Sequence, residues 1–367
     1  DTDVALVFQD SVVSFTRYEA LERTAALEPL GIERRGDAGL ATGESEVIVI
    51  SYDGFADAVQ GLVNYRISQG WGVTHALLTE VYDEFNGGLP SDRAIRDFLQ
   101  YAYENWSSAP QYALLVGDAS EDTRGVRPSA DPNYMPTRVF RGTSGGKLVG
   151  SDQWFVSFAD DVFDLPQMML GRLPSGSAGQ VQTVTEKIQV YETMSGAATW
   201  RNRVLQIADD DWSYPSLDSS YAKYLWEQDF ETLCLDMADT VAQSPADIDT
   251  VNFILSRYTR PFHGDTVVGD IFYAFETVGF VRGESGATDD VLGRLSDGAL
   301  LVNFVGHGNR TQLTHEQLIL ATAVPSSNDL SRFGNDDRPF VFFGMSCELA
   351  RFLDASEGTT IDCVTEQ

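Results

Sequence analysis

The sequence predicts an α/β fold in two parts, each with a mainly parallel β-sheet flanked by helices. Short runs of β-branched and aliphatic residues alternate with amphipathic segments of helical period, as in strand–helix–strand units. This alternation pauses near residue 197 and starts again at residue 203. Hydrophobic residues make up 43% of the 367-residue chain, which is enough to build two cores.

In the first part, strands are predicted at residues 46–51, 73–79 and 112–118, where β-branched and aliphatic residues concentrate. Helices are predicted at 55–69, from Ser91 or Asp92 to about residue 105, and at 178–193. Gly70 is expected to end the first of these helices. Residues 154–158 are predicted to form a strand or hairpin arm, and residues 171–174 a turn.

In the second part, strands are predicted at 203–208, 230–235, 298–305 and 339–343, and helices at 218–226, 271–280 and 289–295. We therefore divide the chain into an upstream β segment or pro-region remnant (1–45), a first α/β subdomain (46–197) and a second subdomain (198–367). The abrupt ending favours a second subdomain that is truncated at its C-terminus.

Composition excludes several classes of function. The formal net charge is −30, which argues against nucleic-acid binding and against docking on an anionic membrane. No run approaches the roughly 20 apolar residues of a membrane span. None of the three cysteines forms a CxxC pair, so a zinc knuckle is not expected. An acidic surface suits a secreted or cell-surface protein, and its carboxylates could hold a structural Ca²⁺.

Two predicted strands end in residues that carry chemistry. Gly306-His307-Gly308 follows the strand at 298–305, and Cys347 follows the strand at 339–343. Ligands of open parallel sheets bind beyond the carboxyl ends of the strands, so an imidazole and a thiolate would meet over one crevice. The amides of Gly308 and Cys347 could then form an oxyanion hole. Alternatively, the cysteine is a small core residue and the Gly-His-Gly turn is structural.

An ordered set of segments resembles the gingipain-type cysteine peptidases, relatives of caspases and legumains, over about residues 46–367. The segments are 82–88, 92–98, 112–118, 133–137, 151–152, 171–173, 187–192, 303–308 and 346–347, with Glu366 near the end. The resemblance implies two adjacent caspase-like subdomains, with catalysis in the second. The residues after Cys347 depart from the family, which more often has a small residue and Gly there.

Carried over by resemblance, Cys347 is the nucleophile and His307 its acid–base partner. Asp211 matches a carboxylate that orients the histidine, although the run at 209–211 could instead cap a helix or bind Ca²⁺. Asp218 is nearest to an acid that selects basic residues before the scissile bond, although an N-cap role is the alternative.

Asp161 and Asp164 are candidate Ca²⁺ ligands, or simply part of a solvated loop. His75 and Cys234 are expected to be structural. His315 either lines the site or lies on the surface.

The expected function is a secreted, bacterial cysteine endopeptidase that acts on proteins or peptides through a thioester and needs no catalytic cofactor. Two alternatives stay open. The same dyad would serve a sortase-like transpeptidase, and an idle site would leave a binding or adhesion module.

Overall fold

The computed structural model of the chain describes residues 38–123, 132–141, 148–158, 165–194, 199–210, 229–258, 286–315, 317–322, 328–335 and 337–349. It also describes the backbone of residues 212–213, 223–226 and 272–273. The helices are α1 (Ala56–Ser68), α2 (Leu78–Asn86), α3 (Asp92–Asn105), α4 (Ala178–Thr193), α5 (Phe230–Ala242) and α6 (Ala287–Ser296).

The strands of the first part are β1 (Val47–Ser51), β2 (Val73–Leu77), β3 (Tyr112–Val116), β4 (Arg138–Arg141), β5 (Leu148–Ser151) and β6 (Met169–Leu173). Those of the second part are β7 (Arg203–Ala208), β8 (Trp212–Ser213), β9 (Lys223–Trp226), β10 (Asp249–Ile254), β11 (Phe272–Tyr273), β12 (Leu301–Val305), β13 (Gly308–Asn309), β14 (Gln312–Leu313), β15 (Ile319–Leu320) and β16 (Val341–Met345).

The first sheet has the strand order β2-β1-β3-β6, and every neighbouring pair is parallel. Alternate residues of β1 serve two different cores, as expected for a strand covered on both faces. Ile48 and Ile50 pack in a cluster with residues of α2 and α3, whereas Val49 packs with residues of α1 and α4. The first part therefore has three layers, with helices on both faces of the sheet.

The second sheet repeats this arrangement with the order β10-β7-β12-β16, again all parallel. Ala208 and Ile254 pack with Cys234 of α5, while the opposite face of the sheet packs with α6. A small antiparallel sheet, β13-β14-β15, follows β12 directly. This small sheet lies immediately after the strand end that carries His307.

The predicted fold class is confirmed: parallel sheets are flanked by helices in both parts of the chain. The division at 197/198 stays a prediction, as does the upstream segment, most of which lies outside the described residues. Several predicted elements are wrong. Residues 171–173 belong to strand β6 and not to a turn, residues 152–155 form a 3₁₀ helix, and residues 230–235 begin helix α5.

The error at α5 has a simple cause in its apolar spacing. Phe230, Cys234 and Ala238 are buried and lie four residues apart, which is the spacing of one helix face. A strand would have placed them on a single face as well, because four is also a multiple of two. Within the segments predicted helical at 218–226 and 271–280, the described residues 223–226 and 272–273 form strands. Strand β10 was not predicted.

Candidate active site

The sheet brings the two strands with chemical residues side by side. Strands β12 and β16 are parallel neighbours, and Val305 is in register with Met345. His307 and Cys347 each lie two residues beyond this pair. The Gly306 N–H donates to the Met345 carbonyl at 3.3 Å, so the pairing continues past the strand ends. The backbone therefore offers His307 and Cys347 from equivalent positions on neighbouring strands, at the carboxyl edge where ligands bind.

His307 is half-buried and its ring contacts two other rings. Phe230, at the start of α5, lies with its ring centroid 5.3 Å away and nearly perpendicular, at 85°. His315, just after β14, stacks on the His307 ring with centroids 4.2 Å apart and an angle of 11°. The imidazole is thus flanked by an apolar ring from a helix and by a second imidazole from the small sheet.

Asp209 holds the main chain of His307. It follows β7, the strand beside β12, and it is only 2% exposed. One carboxylate oxygen accepts the His307 N–H at 2.8 Å, and the other accepts the N–H of Asp210 at 2.9 Å. A Cβ atom at Gly306 would lie 2.4 Å from the Cβ of Asp209, so only glycine allows this approach. Asp209 is a site residue that the sequence analysis did not single out.

Its position in the sequence could have identified it. The predicted strand 203–208 ends one residue before Asp209, in the same way that the predicted strand 298–305 ends before Gly306. What the sequence does not reveal is that these two strands are neighbours. Asp211, which the resemblance favoured as the orienting carboxylate, lies outside the described residues.

Cys347 is exposed and is a free thiol. The next residue, Glu348, has φ 53°, a left-handed conformation that favours glycine. This backbone explains why a glycine near this position would be favourable, and it marks a strained turn beside the thiol. Leu349 is buried at 4% exposure and anchors the end of the turn.

Cys234 differs from Cys347 in its access to solvent, because Cys234 is buried whereas Cys347 is exposed. It is fully buried on α5, and burial raises its pKa to about 11. A thiol that stays protonated in a closed core is a poor nucleophile. The expectation that Cys234 is structural agrees with this environment.

Gly308 begins the hairpin of β13 and β14. The Thr314 N–H donates to the His307 carbonyl at 2.8 Å, so His307 and Thr314 occupy a hydrogen-bonded position of the ladder, although the N–H of His307 donates to Asp209 instead. Because hydrogen-bonded and non-bonded pairs alternate in an antiparallel ladder, the N–H of Gly308 points away from β14. A Cβ atom at Gly308 would lie 2.6 Å from Oγ of Ser346, the residue before Cys347. The Gly308 backbone therefore lies directly against the turn that carries the thiol.

The remaining predicted site residues, Asp161, Asp164 and Asp218, lie outside the described residues. Within the described part of the chain, no group of three or more His, Cys, Asp and Glu side chains is arranged to hold a metal ion. His75 is hydrogen-bonded to Ser51 at 2.9 Å and to Gln60 at 3.3 Å, within the first part. Across the described residues, no helix combines the length and apolar character that crossing a membrane requires.

Comparisons with known proteins identify the family of the chain and relatives of its fold. A sequence model of peptidase family C25 matches residues 41–367. The chain superposes on the crystal structure of the Arg-specific cysteine proteinase gingipain R with a TM-score of 0.59 and 18% identity, covering 88% of this chain and 58% of that one. A complex of the pro- and mature domains of RgpB from Porphyromonas gingivalis gives 0.55 and 17%, with 88% and 59% covered.

A third solved structure, described as a protease, matches with a TM-score of 0.53 and 19% identity, covering 87% of this chain and 55% of that one. The chain thus spans less than two thirds of the length of these structures. A search of curated protein sequences returns no match.

Proposed function

The chain belongs to peptidase family C25, and from this premise we propose that it is a cysteine endopeptidase with Cys347 as nucleophile and His307 as acid–base partner. The observation that carries this proposal is the parallel pairing of β12 with β16, which offers both residues from equivalent positions at one edge of the sheet. The exposure of Cys347 supports access by a substrate. Protein or peptide substrates follow from the family.

In the first half-reaction, His307 takes the proton of the Cys347 thiol, and the thiolate attacks the scissile carbonyl carbon. The carbonyl electron pair moves onto oxygen, and the amides of Gly308 and Cys347 stabilise the resulting negative charge. When the carbonyl re-forms, the C–N bond breaks and the His307 imidazolium donates its proton to the departing amine. The product is a thioester on Cys347.

In the second half-reaction, His307 takes a proton from water, and the hydroxide that forms attacks the thioester carbon. The C–S bond breaks, a carboxylic acid leaves, and the thiolate is regenerated. Asp209 fixes the main chain of His307 throughout. Asp211 is proposed to stabilise the imidazolium, in line with the family resemblance.

Finer properties are part of the same proposal: the preference for basic residues rests on the resemblance, and the Ca²⁺ site rests on the acidic side chains themselves. Asp218 is proposed to favour basic residues before the scissile bond. Asp161 and Asp164 are proposed to hold a structural Ca²⁺, while the catalytic steps themselves use only protein groups. The protein is proposed to be secreted or cell-surface and bacterial.

A covalent probe tests the nucleophile directly. A peptidyl acyloxymethyl ketone with Arg or Lys next to the reactive group should add to Cys347 and lose its carboxylate, which intact-mass and peptide mass spectrometry detect. Cys347→Ala should lose the label, whereas the matched control Cys234→Ala should keep it, because that thiol is buried. Labelling of the Cys347→Ala variant would contradict the proposal. A wild-type protein that is not labelled at any pH between 5 and 9 would also contradict it.

Product analysis distinguishes hydrolysis from the two alternative functions, transpeptidation and binding without catalysis. Cleavage of a peptide library by the full chain should give free carboxyl termini, and the cleavage sites report the residue preference. A transpeptidase would instead join the acyl group to an added amine, and an idle binding module would give neither product.

A further inference from the structure

We infer that His315 is a positioning residue for catalysis, whose ring holds the His307 imidazole in place by stacking on it. This inference rests on the proposed function, since it assigns His315 a part in the work of His307. The two rings are nearly parallel, with an angle of 11°, and their centroids lie 4.2 Å apart. His315 itself is exposed, so nothing about burial forces it into this contact.

The turn that carries His315 is unusually constrained. Thr314 is fully buried and has φ 62°, a left-handed conformation that is unfavourable for a β-branched residue. Strain of this kind persists only where the surroundings enforce it, and such positions cluster at functional sites. The strained residue is followed directly by His315.

Four hydrogen bonds hold Thr314 in this conformation. Its N–H donates to the His307 carbonyl at 2.8 Å. Its own carbonyl accepts from the side-chain amide of Gln312 at 3.0 Å and from the N–H of Gln317 at 3.3 Å. Its hydroxyl oxygen accepts the N–H of Leu318 at 3.4 Å. One of these bonds joins Thr314 to the backbone of His307. Because Thr314 directly precedes His315, it links the position of the His307 backbone to that of His315.

Ring orientation is the property that His315 controls. Asp209 accepts the His307 N–H, and this bond acts on the main chain, whereas the stacking of His315 acts on the ring. Among the described residues, ring contacts to His307 come from Phe230 and His315, nearly perpendicular and nearly parallel respectively. If the ring rotates so that its reacting nitrogen moves about 1 Å away from the thiol, the imidazole loses much of its proton-transfer efficiency.

Three variants separate stacking from other roles: His315→Ala removes the ring, His315→Gln keeps a polar group, and His315→Phe keeps a flat ring that cannot carry a proton. If stacking is the role, His315→Ala and His315→Gln should each lower kcat about 10- to 100-fold with little change in KM. His315→Phe should recover kcat to within about threefold of the wild type, because a phenyl ring can stack in the same place.

A spectroscopic readout tests the same point without turnover. The chain has four histidines, so ¹³C-labelled histidine gives a spectrum that single variants can assign. The His307 ring signals should shift and broaden in His315→Ala and return close to the wild-type positions in His315→Phe. Thermal unfolding of each variant checks that the fold is retained, as expected for an exposed side chain.

The outcomes distinguish this inference from the proposed function. If the wild type neither labels nor cleaves, the proposed function fails. If the wild type is active and His315→Ala keeps its kcat, only the positioning role is overturned. The positioning role by stacking is also overturned if His315→Gln is active while His315→Phe is not. Such a result would indicate that His315 acts through a hydrogen bond or a proton rather than through ring stacking.

Discussion

Two glycines flank His307, and the space around both of their backbones is fully occupied. At Gly306 the obstacle is Asp209, and at Gly308 it is the turn that carries Cys347. A Cβ atom at Gly308 would lie 2.6 Å from Oγ of Ser346 and 2.7 Å from a methyl carbon of Leu349. Leu349 is buried and cannot move away cheaply. Gly308 therefore sets the distance between the histidine loop and the cysteine turn, and Gly306 sets the distance between that loop and Asp209.

Gly308→Ala is expected to lower kcat by about 100-fold, because the loop must move and the proposed oxyanion donor moves with it. The measurement is steady-state cleavage of a reporter peptide, together with the rate of acyloxymethyl ketone labelling. Gly293→Ala is the matched control, since a Cβ atom there meets nothing within 4 Å and the residue lies inside α6. That control should retain activity and gain about 0.5–1 kcal/mol of stability. A Gly308→Ala enzyme within threefold of the wild type would contradict the assignment.

Asp209→Ala should destabilise the fold by about 1–3 kcal/mol, since it leaves the N–H groups of His307 and Asp210 without this acceptor in a buried place. It should also lower kcat, because the His307 backbone is no longer fixed. Urea unfolding measures the first effect. Asp249→Ala is the comparison: its carboxylate is 63% exposed and pairs with Arg203 at 3.5 Å, so its loss should cost less than about 1 kcal/mol. Equal costs for the two variants would refute the structural role of Asp209.

At the scale of elements, one arginine joins the strand ends of the first sheet. Arg172 of β6 has a side chain that is only 5% exposed, and it donates five hydrogen bonds to acceptors within the described part of the chain. Two reach Asp152, at 2.6 and 2.9 Å, and three reach the backbone carbonyls of Gly117, Met135 and Pro136. The planar fork of a guanidinium can serve all five acceptors at once. The carboxylate of Asp152 is therefore engaged as part of the scaffold.

Arg172→Lys should lower the free energy of unfolding by about 3–5 kcal/mol, because an ammonium cannot reach the same acceptors and leaves buried groups unpaired. The control is Arg66→Lys. Arg66 also makes a two-pronged pair, with Glu192, but the two side chains are 29% and 30% exposed, so the cost should stay below about 1 kcal/mol. Chemical denaturation of both variants decides the matter, and similar costs would contradict the prediction.

The contact between β2 and α1 should make stability depend on pH. Burial lowers the pKa of His75 from its usual value of 6.5, while its ring is bonded to Ser51 and Gln60. In the window below about pH 6.5 the unfolded chain binds this proton more readily than the folded one. Stability should therefore fall as the pH drops from 7 to 5.

The variant His75→Gln keeps hydrogen-bonding capacity and removes the titration. Its unfolding free energy, measured by urea at several pH values, should fall less steeply on acidification than that of the wild type. Parallel curves for the two proteins would show that His75 does not contribute.

Sequence pattern predicted some elements well and others badly, for identifiable reasons. Strand β7 and helix α4 were predicted with the bounds that the structure has, because one is a short segment rich in aliphatic residues and the other follows a Ser177 cap. Strand β6 was missed because Gly171 and Pro174 are typical of turns, although Gly171 lies inside the parallel ladder, in register with Leu114. Local signals of this kind are overruled by pairing partners that are distant in sequence.

Over the whole molecule, the two sheets share one scaffold and differ in the residues at its edge. Val116 is in register with Leu173 in the first sheet, as Val305 is with Met345 in the second. Gly117 and Gly306 then make the same bond to the neighbouring strand end. In the first part, the residues two positions beyond Val116 and Leu173 are Asp118 and Ser175. In the second part, the residues two positions beyond Val305 and Met345 are His307 and Cys347. The scaffold alone therefore does not identify the half that carries the chemistry.

The sequence could indicate the His307 and Cys347 pair because each lies shortly after a recognisable strand. It could not indicate the surroundings of the pair. Phe230 comes from a helix that was predicted as a strand, and His315 reaches His307 only through the strained turn at Thr314. Such contacts depend on tertiary packing and on a backbone conformation that residue propensities disfavour.

Net charge should govern the stability of the molecule as a whole. The chain carries 55 acidic against 25 basic side chains, and the folded state brings these like charges closer together than the unfolded state does. Raising NaCl from about 0.01 M to about 1 M shortens the screening length from about 30 Å to about 3 Å. The melting temperature should therefore rise with salt, by about 1–3 °C for a chain of this length if screening contributes on the order of 1–2 kcal/mol. Sucrose of equal osmolality is the control for solvent exclusion, and CaCl₂ at matched ionic strength is the control for specific binding. If self-repulsion is the cause, NaCl should raise the melting temperature more than sucrose does, and the melting temperature should rise smoothly with NaCl concentration. A rise that saturates at submillimolar Ca²⁺ and disappears in Asp161→Asn/Asp164→Asn would instead indicate a bound ion, and a melting temperature that does not respond to NaCl would refute the electrostatic explanation.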